Sequence, residues 1–228
     1  MHRLTILALA AALAVCGAEK GKWVKLFDGR TLNGWEVHSG TATYKVEKGA
    51  IVGTAVLGSP NTFLCTQKEY GDFILEFEVL VDNDLNSGVQ VRSRVAKKGM
   101  AFKVQETPRA IFQREIPADR VYGYQVEIAA QPSTNSGNVY DEARRARFLD
   151  DFTNKPAART AFKNGKWNKY RVECQGDSIK TWVNNIPAAD IKDSMTARGI
   201  IGLQVHQVSK DKFKPYQVRW RKLRIKEL

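Results

Sequence analysis

Asp72-Phe73-Ile74-Leu75-Glu76-Phe77-Glu78-Val79-Leu80-Val81 decides the fold. Extended side chains alternate between two faces, so Phe73, Leu75, Phe77 and Val79 point one way and Glu76 and Glu78 the other. A strand with one apolar and one wet face belongs to an antiparallel sheet packed on one side only. The same pattern extends outward in both directions. Trp23-Val24-Lys25-Leu26-Phe27 runs into the turn pair Asp28-Gly29, and Tyr44 to Val52 reads as a hairpin with Lys48-Gly49 at its tip. Phe63 to Thr66 is a short strand, Ile179 to Val183 meets a tip at Asn184-Asn185, and Tyr216 to Lys226 alternates to the end. Strands at this spacing predict an all-β, antiparallel two-sheet sandwich or barrel. Two stretches interrupt it. Residues 94–120, rich in Lys and Arg with two prolines, read as a long loop, and 141–151 as one or two helical turns. No linker or low-complexity tract divides residues 19–228, which read as a single domain.

Residues 1–18 are of another kind. Met1-His2-Arg3 is a basic start, Leu4 to Val15 an apolar run, and Cys16-Gly17-Ala18 a small-residue end. The run is too short to span a bilayer and has the three parts of an export signal, with cleavage after Ala18. Leu13 to Gly17 also resembles a lipoprotein box, so membrane attachment is expected only through lipidation at Cys16. The predicted location is periplasmic or extracellular. The 36 Lys and Arg against 24 Asp and Glu give a net charge of +12. In an exported chain without a long basic block this reads as a solvated surface suited to anionic partners or the cell envelope, not nucleic acid. Two cysteines of the mature chain, Cys65 and Cys174, leave a disulfide and two buried thiols both open.

The most informative feature is a short pattern that occurs three times: Val89-Gln90-Val91-Arg92, Tyr124-Gln125-Val126-Glu127 and Leu203-Gln204-Val205-His206. Alternation sends the apolar residues to the core and places Gln90, Arg92, Gln125, Glu127, Gln204 and His206 together on the other face, if the strands share a sheet. Amides donate and accept at once, which suits sugar hydroxyls. Arg92 can fork onto oxygens, and Glu127 and His206 can move protons. Tyr140, Arg144 and Arg145 offer a ring and charges at one end. A polar sheet face held by its own hydrogen bonds is the competing reading.

These residues carry a resemblance. Leu26-Phe-Asp-Gly-Arg-Thr-Leu-Asn-Gly-Trp35, Tyr70 to Phe77, Asn86-Ser-Gly-Val-Gln-Val-Arg92, Val121 to Ile128, Ser136 to Arg145, Gly165 to Asn168, Gly199 to His206 and Val218 to Leu228 resemble, in order, the 3-keto-disaccharide hydrolase domain family. Arg221-Lys222 departs from the family's usual Arg-Asn pair, and the segment before Val121 is long. The resemblance implies a jelly-roll sandwich of the concanavalin A-like lectin/glucanase type and a hydrolase acting on 3-keto-glycosides. An ordinary glycosidase needs two carboxylates roughly 5–10 Å apart. A 3-keto sugar needs less, because its ketone acidifies the hydrogen on carbon 2. A base removes that proton, the anomeric substituent leaves, and water adds back. In this scheme His206 is the base, Arg92 stabilises the enolate oxygen, and Glu127 orients His206 or acts as acid. Gln90, Gln125, Gln204, Tyr140, Arg144 and Arg145 hold the sugar. A divalent metal shared by Glu127 and His206 stays open, as does a non-catalytic carbohydrate-binding module or an envelope scaffold protein.

Overall fold

The computed structural model describes residues 21–107 and 110–228, the side chains of 104–112 excepted. The export signal and lipidation at Cys16 lie outside the described residues. Among these the strands are β1 (Trp23–Lys25), β2 (Trp35–His38), β3 (Thr43–Glu47), β4 (Ala50–Thr54), β5 (Thr62–Thr66), β6 (Phe73–Val81), β7 (Asn86–Val95) and β8 (Met100–Thr107). They continue with β9 (Ala110–Ile116), β10 (Val121–Ala129), β11 (Val139–Glu142), β12 (Asn168–Gln175), β13 (Ser178–Val183), β14 (Ile186–Lys192), β15 (Ile200–Val205) and β16 (Gln217–Glu227). The larger sheet runs β14-β13-β12-β6-β16-β4-β3, with β1 beside β16, and the smaller runs β11-β10-β7-β15-β5-β2. Their paired strands are antiparallel. The fold is the expected all-β sandwich.

The alternation in β6 explains the core. Phe73, Leu75, Phe77 and Val79 are fully buried and join Val89, Val91, Tyr124, Val126, Leu203 and Val205 of the smaller sheet in one apolar cluster. Phe77 stacks on Tyr170 with ring centroids 5.1 Å apart. Glu76 and Glu78 face outward, where Arg171 and Arg224 pair with the first, and Arg221 and Lys222 with the second. Arg221 lies over Trp167 and Arg171 over Trp182, so these two tryptophans belong to the outer face, while Trp35 is in the core. Cys65 and Cys174 are separately buried free thiols.

Two local expectations are corrected. Residues 94–120 are not a loop, because β8 and β9 form a two-stranded hairpin within them. Met100, Phe102 and Ile116 anchor its base on Tyr122 and Ala96, so apolar residues set among many cations suffice to seat it. Residues 141–151 begin on β11 and continue as turns, and the short helix α1 lies later, at Pro156–Arg159. Left-handed backbone at Ala143 and Ala146 is incompatible with a right-handed helix there.

Candidate functional site

The site lies on the face of the smaller sheet turned away from the core. Asn61, just before β5, donates from Nδ2 to Glu142 Oε1 on β11 at 3.3 Å. Four strand pairings separate β5 from β11, a distance of roughly 19 Å if the sheet were flat. The contact closes only because the sheet curls, so this face is concave.

Register places the tripled pattern on it. Gln125 stands opposite both Gln90 and Tyr140, Gly88 opposite both Glu127 and Gln204, and Gln204 opposite Phe63. His206 follows the last residue of β15 and lines the same cleft as Glu127. Gln90, Gln125, Gln204, Glu127, His206 and Tyr140 therefore share the concave side, as the alternation predicts.

Arg92 does not, and its assigned role is corrected. Its backbone is left-handed, with φ 47°, at a point where the pairing of β7 with both neighbours shifts. A bulge breaks the two-residue period and re-aims the side chain. Arg92 is fully buried, donating to the carbonyl of Gly71 (2.8 Å), the carbonyl of Gly176 (2.7 Å) and Asp72 Oδ1 (2.6 Å). It ties β7 to the start of β6 and to the turn between β12 and β13. Arg144 and Arg145 are also turned away. Arg144 donates to Asp141 Oδ1 at 2.8 Å and lies over the core-facing Tyr124 ring, while Arg145 pairs with Asp141 and, at 2.6 Å, with Asp193. The turn after β11 folds both guanidiniums back onto Asp141, so neither reaches the cleft.

The cleft encloses about 220 Å³. Glu127 is its centre. Asn86 Nδ2 donates to Oε1 at 2.5 Å and Gln125 Nε2 to Oε2 at 3.2 Å. Gln90 Nε2 donates in turn to Gln125 Oε1 at 2.8 Å, and Ser93 Oγ to Gln90 Oε1 at 2.6 Å. The amides thus form a relay that ends on the carboxylate. Gly88 makes room for it, since a Cβ there would come within 2.5 Å of the Gln125 side chain. Burial dominates the electrostatics of Glu127. It pushes the pKa up to about 7, the two N–H donors opposing and the charge of Glu142 adding to the rise. Near neutral pH this carboxyl can give a proton as readily as take one.

His206 has a defined tautomer. Its Nδ1 is 2.7 Å from the carbonyl oxygen of Gln207, which can only accept, so Nδ1 is the donor and, in the neutral imidazole, Nε2 carries the lone pair. Glu127 is bonded to Asn86 and Gln125, not to His206, so it does not orient the imidazole. Tyr140 packs edge-on against Phe148, and burial followed by the nearby Glu142 charge raises its phenol pKa, keeping it a hydrogen-bond donor. Glu142 pairs with Arg120, whose guanidinium lies 5.6 Å from the centroid of Phe63.

Glu142, Asn61, Asn86 and Arg120 are the residues that the tripled pattern does not reveal. Glu142 falls in the stretch read as helical turns; in the strand that forms there, it alternates with Tyr140 onto one face. Asn86 sits in Asn86-Ser87-Gly88, which reads as a turn yet begins β7. Asn61 and Arg120 lie outside any alternating run and carry no signal.

The metal alternative does not fit these residues. Both Glu127 oxygens accept N–H bonds, and among the described residues no three His, Cys, Asp or Glu side chains gather as ligands.

The fold and the geometry of the cleft are then in place, and the sequence comparison decides the family. The model of the 3-keto-alpha-glucoside-1,2-lyase-like domain matches residues 22–226. The chain belongs to this family. Among solved structures, this lyase-like domain is similar to a candidate glycosyl hydrolase from Parabacteroides distasonis, at 16% identity over 91% of this chain and 100% of that one, with a TM-score of 0.55. It is also similar to a protein of unknown function with a galectin-like fold from Bacillus subtilis, at 8% identity over 92% and 97% of the two chains and a TM-score of 0.60. At such identities the likeness concerns the fold. No curated protein matches the lyase-like domain.

Proposed function

We propose that the protein is an exported enzyme that cleaves the glycosidic bond of 3-keto-glycosides by elimination across carbons 1 and 2, followed by hydration. The observation that carries this reading is the pairing of a carboxyl with a pKa near 7 and an imidazole with a free Nε2 in one cleft of about 220 Å³. His206 Nε2 takes the proton from carbon 2, whose acidity comes from the ketone. Electrons of that C–H bond form the C1–C2 double bond, and the C1–O bond to the leaving group breaks. Protonated Glu127 delivers its proton to the departing oxygen. The Tyr140 phenol donates to the enolate oxygen, the role that Arg92 is placed too far away to fill. Water then adds at carbon 1, giving a proton back to the Glu127 carboxylate, while His206, its proton exchanged with solvent, protonates carbon 2. Gln125 and Asn86 hold Glu127 in place, and family membership supports the substrate class.

The test is incubation of the mature protein with 3-keto-glucosides and with their unoxidised parents, with and without a chelator. The reading expects release of the leaving group from the keto forms alone, unaffected by chelator. Binding of both forms without turnover would replace it with a carbohydrate-binding module. Export belongs to the same proposal. Mass spectrometry of protein from its native envelope should find a terminus at Glu19 or a lipidated Cys16, and an intact Met1 there would contradict it.

A further inference from the structure

Asn61 has a part in the cleft beyond closing the curl. Val205 is opposite Thr62 where β15 pairs with β5, so one step further along Asn61 meets the chain at His206 and Gln207. There its Oδ1 accepts the backbone N–H of Gln207 at 2.9 Å, while its Nδ2 donates to Glu142 Oε1. Gln207 in turn offers its carbonyl to His206 Nδ1 at 2.7 Å. A chain of contacts therefore runs from Arg120 through Glu142, Asn61 and Gln207 to the imidazole.

Each link runs one way. A backbone N–H can only donate, and a carboxylate paired with an arginine can only accept, so a single orientation of the Asn61 amide serves both. The backbone beside Asn61 is fixed as well. Thr41 and Ala42 donate their N–H groups to Ser59 Oγ and Thr62 Oγ1, at 2.9 and 3.1 Å. A Cβ on Gly40 would come within 2.3 Å of Thr62 Oγ1, so the two segments lie in close contact. Asn61 is itself buried and lines the cleft with Glu127 and His206.

The consequence falls on His206. A neutral imidazole with its hydrogen on Nε2 cannot take a proton at that atom, and the bond made by the other nitrogen decides between the two forms. Here that bond goes to the carbonyl of Gln207, in a segment that belongs to no strand. We propose that Asn61 is a positioning residue for His206. It pins Gln207 so that Nε2 carries a lone pair and not a hydrogen, and Glu142 keeps the Asn61 amide from turning over. Its effect on turnover rests on the elimination reading above, but its effect on the tautomer does not.

Within residues 19–228 the histidines are His38 and His206, so proton–nitrogen NMR can follow each imidazole, with His38→Gln to assign them. Where the imidazole is neutral, wild-type His206 should show a protonated Nδ1 and a bare Nε2. Asn61→Leu keeps the volume and removes both ends of the amide. The two nitrogen shifts of His206 should then move toward each other as the tautomers mix. Asn61→Asp keeps the acceptor for Gln207 and should retain the wild-type signature. In Asn61→Leu, kcat for a 3-keto-glucoside should fall about ten- to a hundredfold with KM unchanged. An Nδ1–H that persists in Asn61→Leu, is lost equally in Asn61→Asp, or is lost together with a change at His38 would overturn the proposal. Rapid solvent exchange of the Gln207 N–H in the wild type would do the same, and that measurement needs no variant to fold. If the wild type turns over no 3-keto-glucoside, the elimination reading fails alone and the NMR signature still decides the role of Asn61. Mixed tautomers with undiminished kcat would uphold the pinning and remove His206 as the base.

Discussion

Glu127 is where burial and chemistry oppose each other most directly. Burial and the charge of Glu142 lift its pKa to about 7, while the donors Asn86 and Gln125 pull it down. Asn86→Ala should therefore raise it further and move the alkaline fall in turnover to higher pH, as a pH–rate profile would show; a shift downward would contradict the acid role. The same displacement has a stability consequence. A carboxyl whose pKa is raised on folding favours the folded state at low pH, and that contribution is lost as pH rises from about 4.5 through about 7. Glu127→Gln should match the wild type in stability below pH 4.5 and exceed it above 7, by about 1–3 kcal/mol after relaxation, in urea denaturation at several pH values. Turnover should fall by at least about a hundredfold in the same variant. Gln204→Leu should also stabilise the fold, by about 1–3 kcal/mol in thermal or urea denaturation, because it removes two buried atoms left unpaired among the described residues. Glu127→Gln improves folding and harms function, which is the pattern expected where a site keeps a group that the fold alone would discard.

At the scale of the strand, alternation carried the reading as far as its period lasted. Gln90, Gln125, Glu127, Gln204 and His206 follow from a period of two, because β10 and β15 keep that period through these positions. Arg92 does not, because one left-handed residue shifts the phase by a step. No side chain announces such a bulge: arginine is an ordinary strand residue, and the partners that hold it are backbone carbonyls of Gly71 and Gly176. Glu142 was hidden differently, by a run of charges that resembles a helix start. The bulge yields a prediction of its own. Arg92→Met should cost about 1–3 kcal/mol in denaturant unfolding, since it leaves the carbonyls of Gly71 and Gly176 without the guanidinium donor. Turnover per folded molecule should stay at the wild-type level. A variant that folds normally but loses turnover would return Arg92 to the site.

For the whole molecule, the sandwich was legible because it depends on many repeated signals, and the cleft was not because it depends on curvature. Nothing in the order of residues states that Asn61 and Glu142 meet across four strand pairings. The curl brings them together, and with them Glu127, His206 and Tyr140. The claim that joins these scales is that the cleft breaks the C1–O bond only after a proton leaves carbon 2. Initial rates of leaving-group release from a 3-keto-glucoside carrying deuterium at carbon 2, compared with the unlabelled substrate, test it most directly. Removal of that proton by His206 predicts slower release from the deuterated substrate and solvent hydrogen at carbon 2 of the product. Equal rates, with the deuterium retained in the product, would show direct displacement at carbon 1 and contradict the elimination.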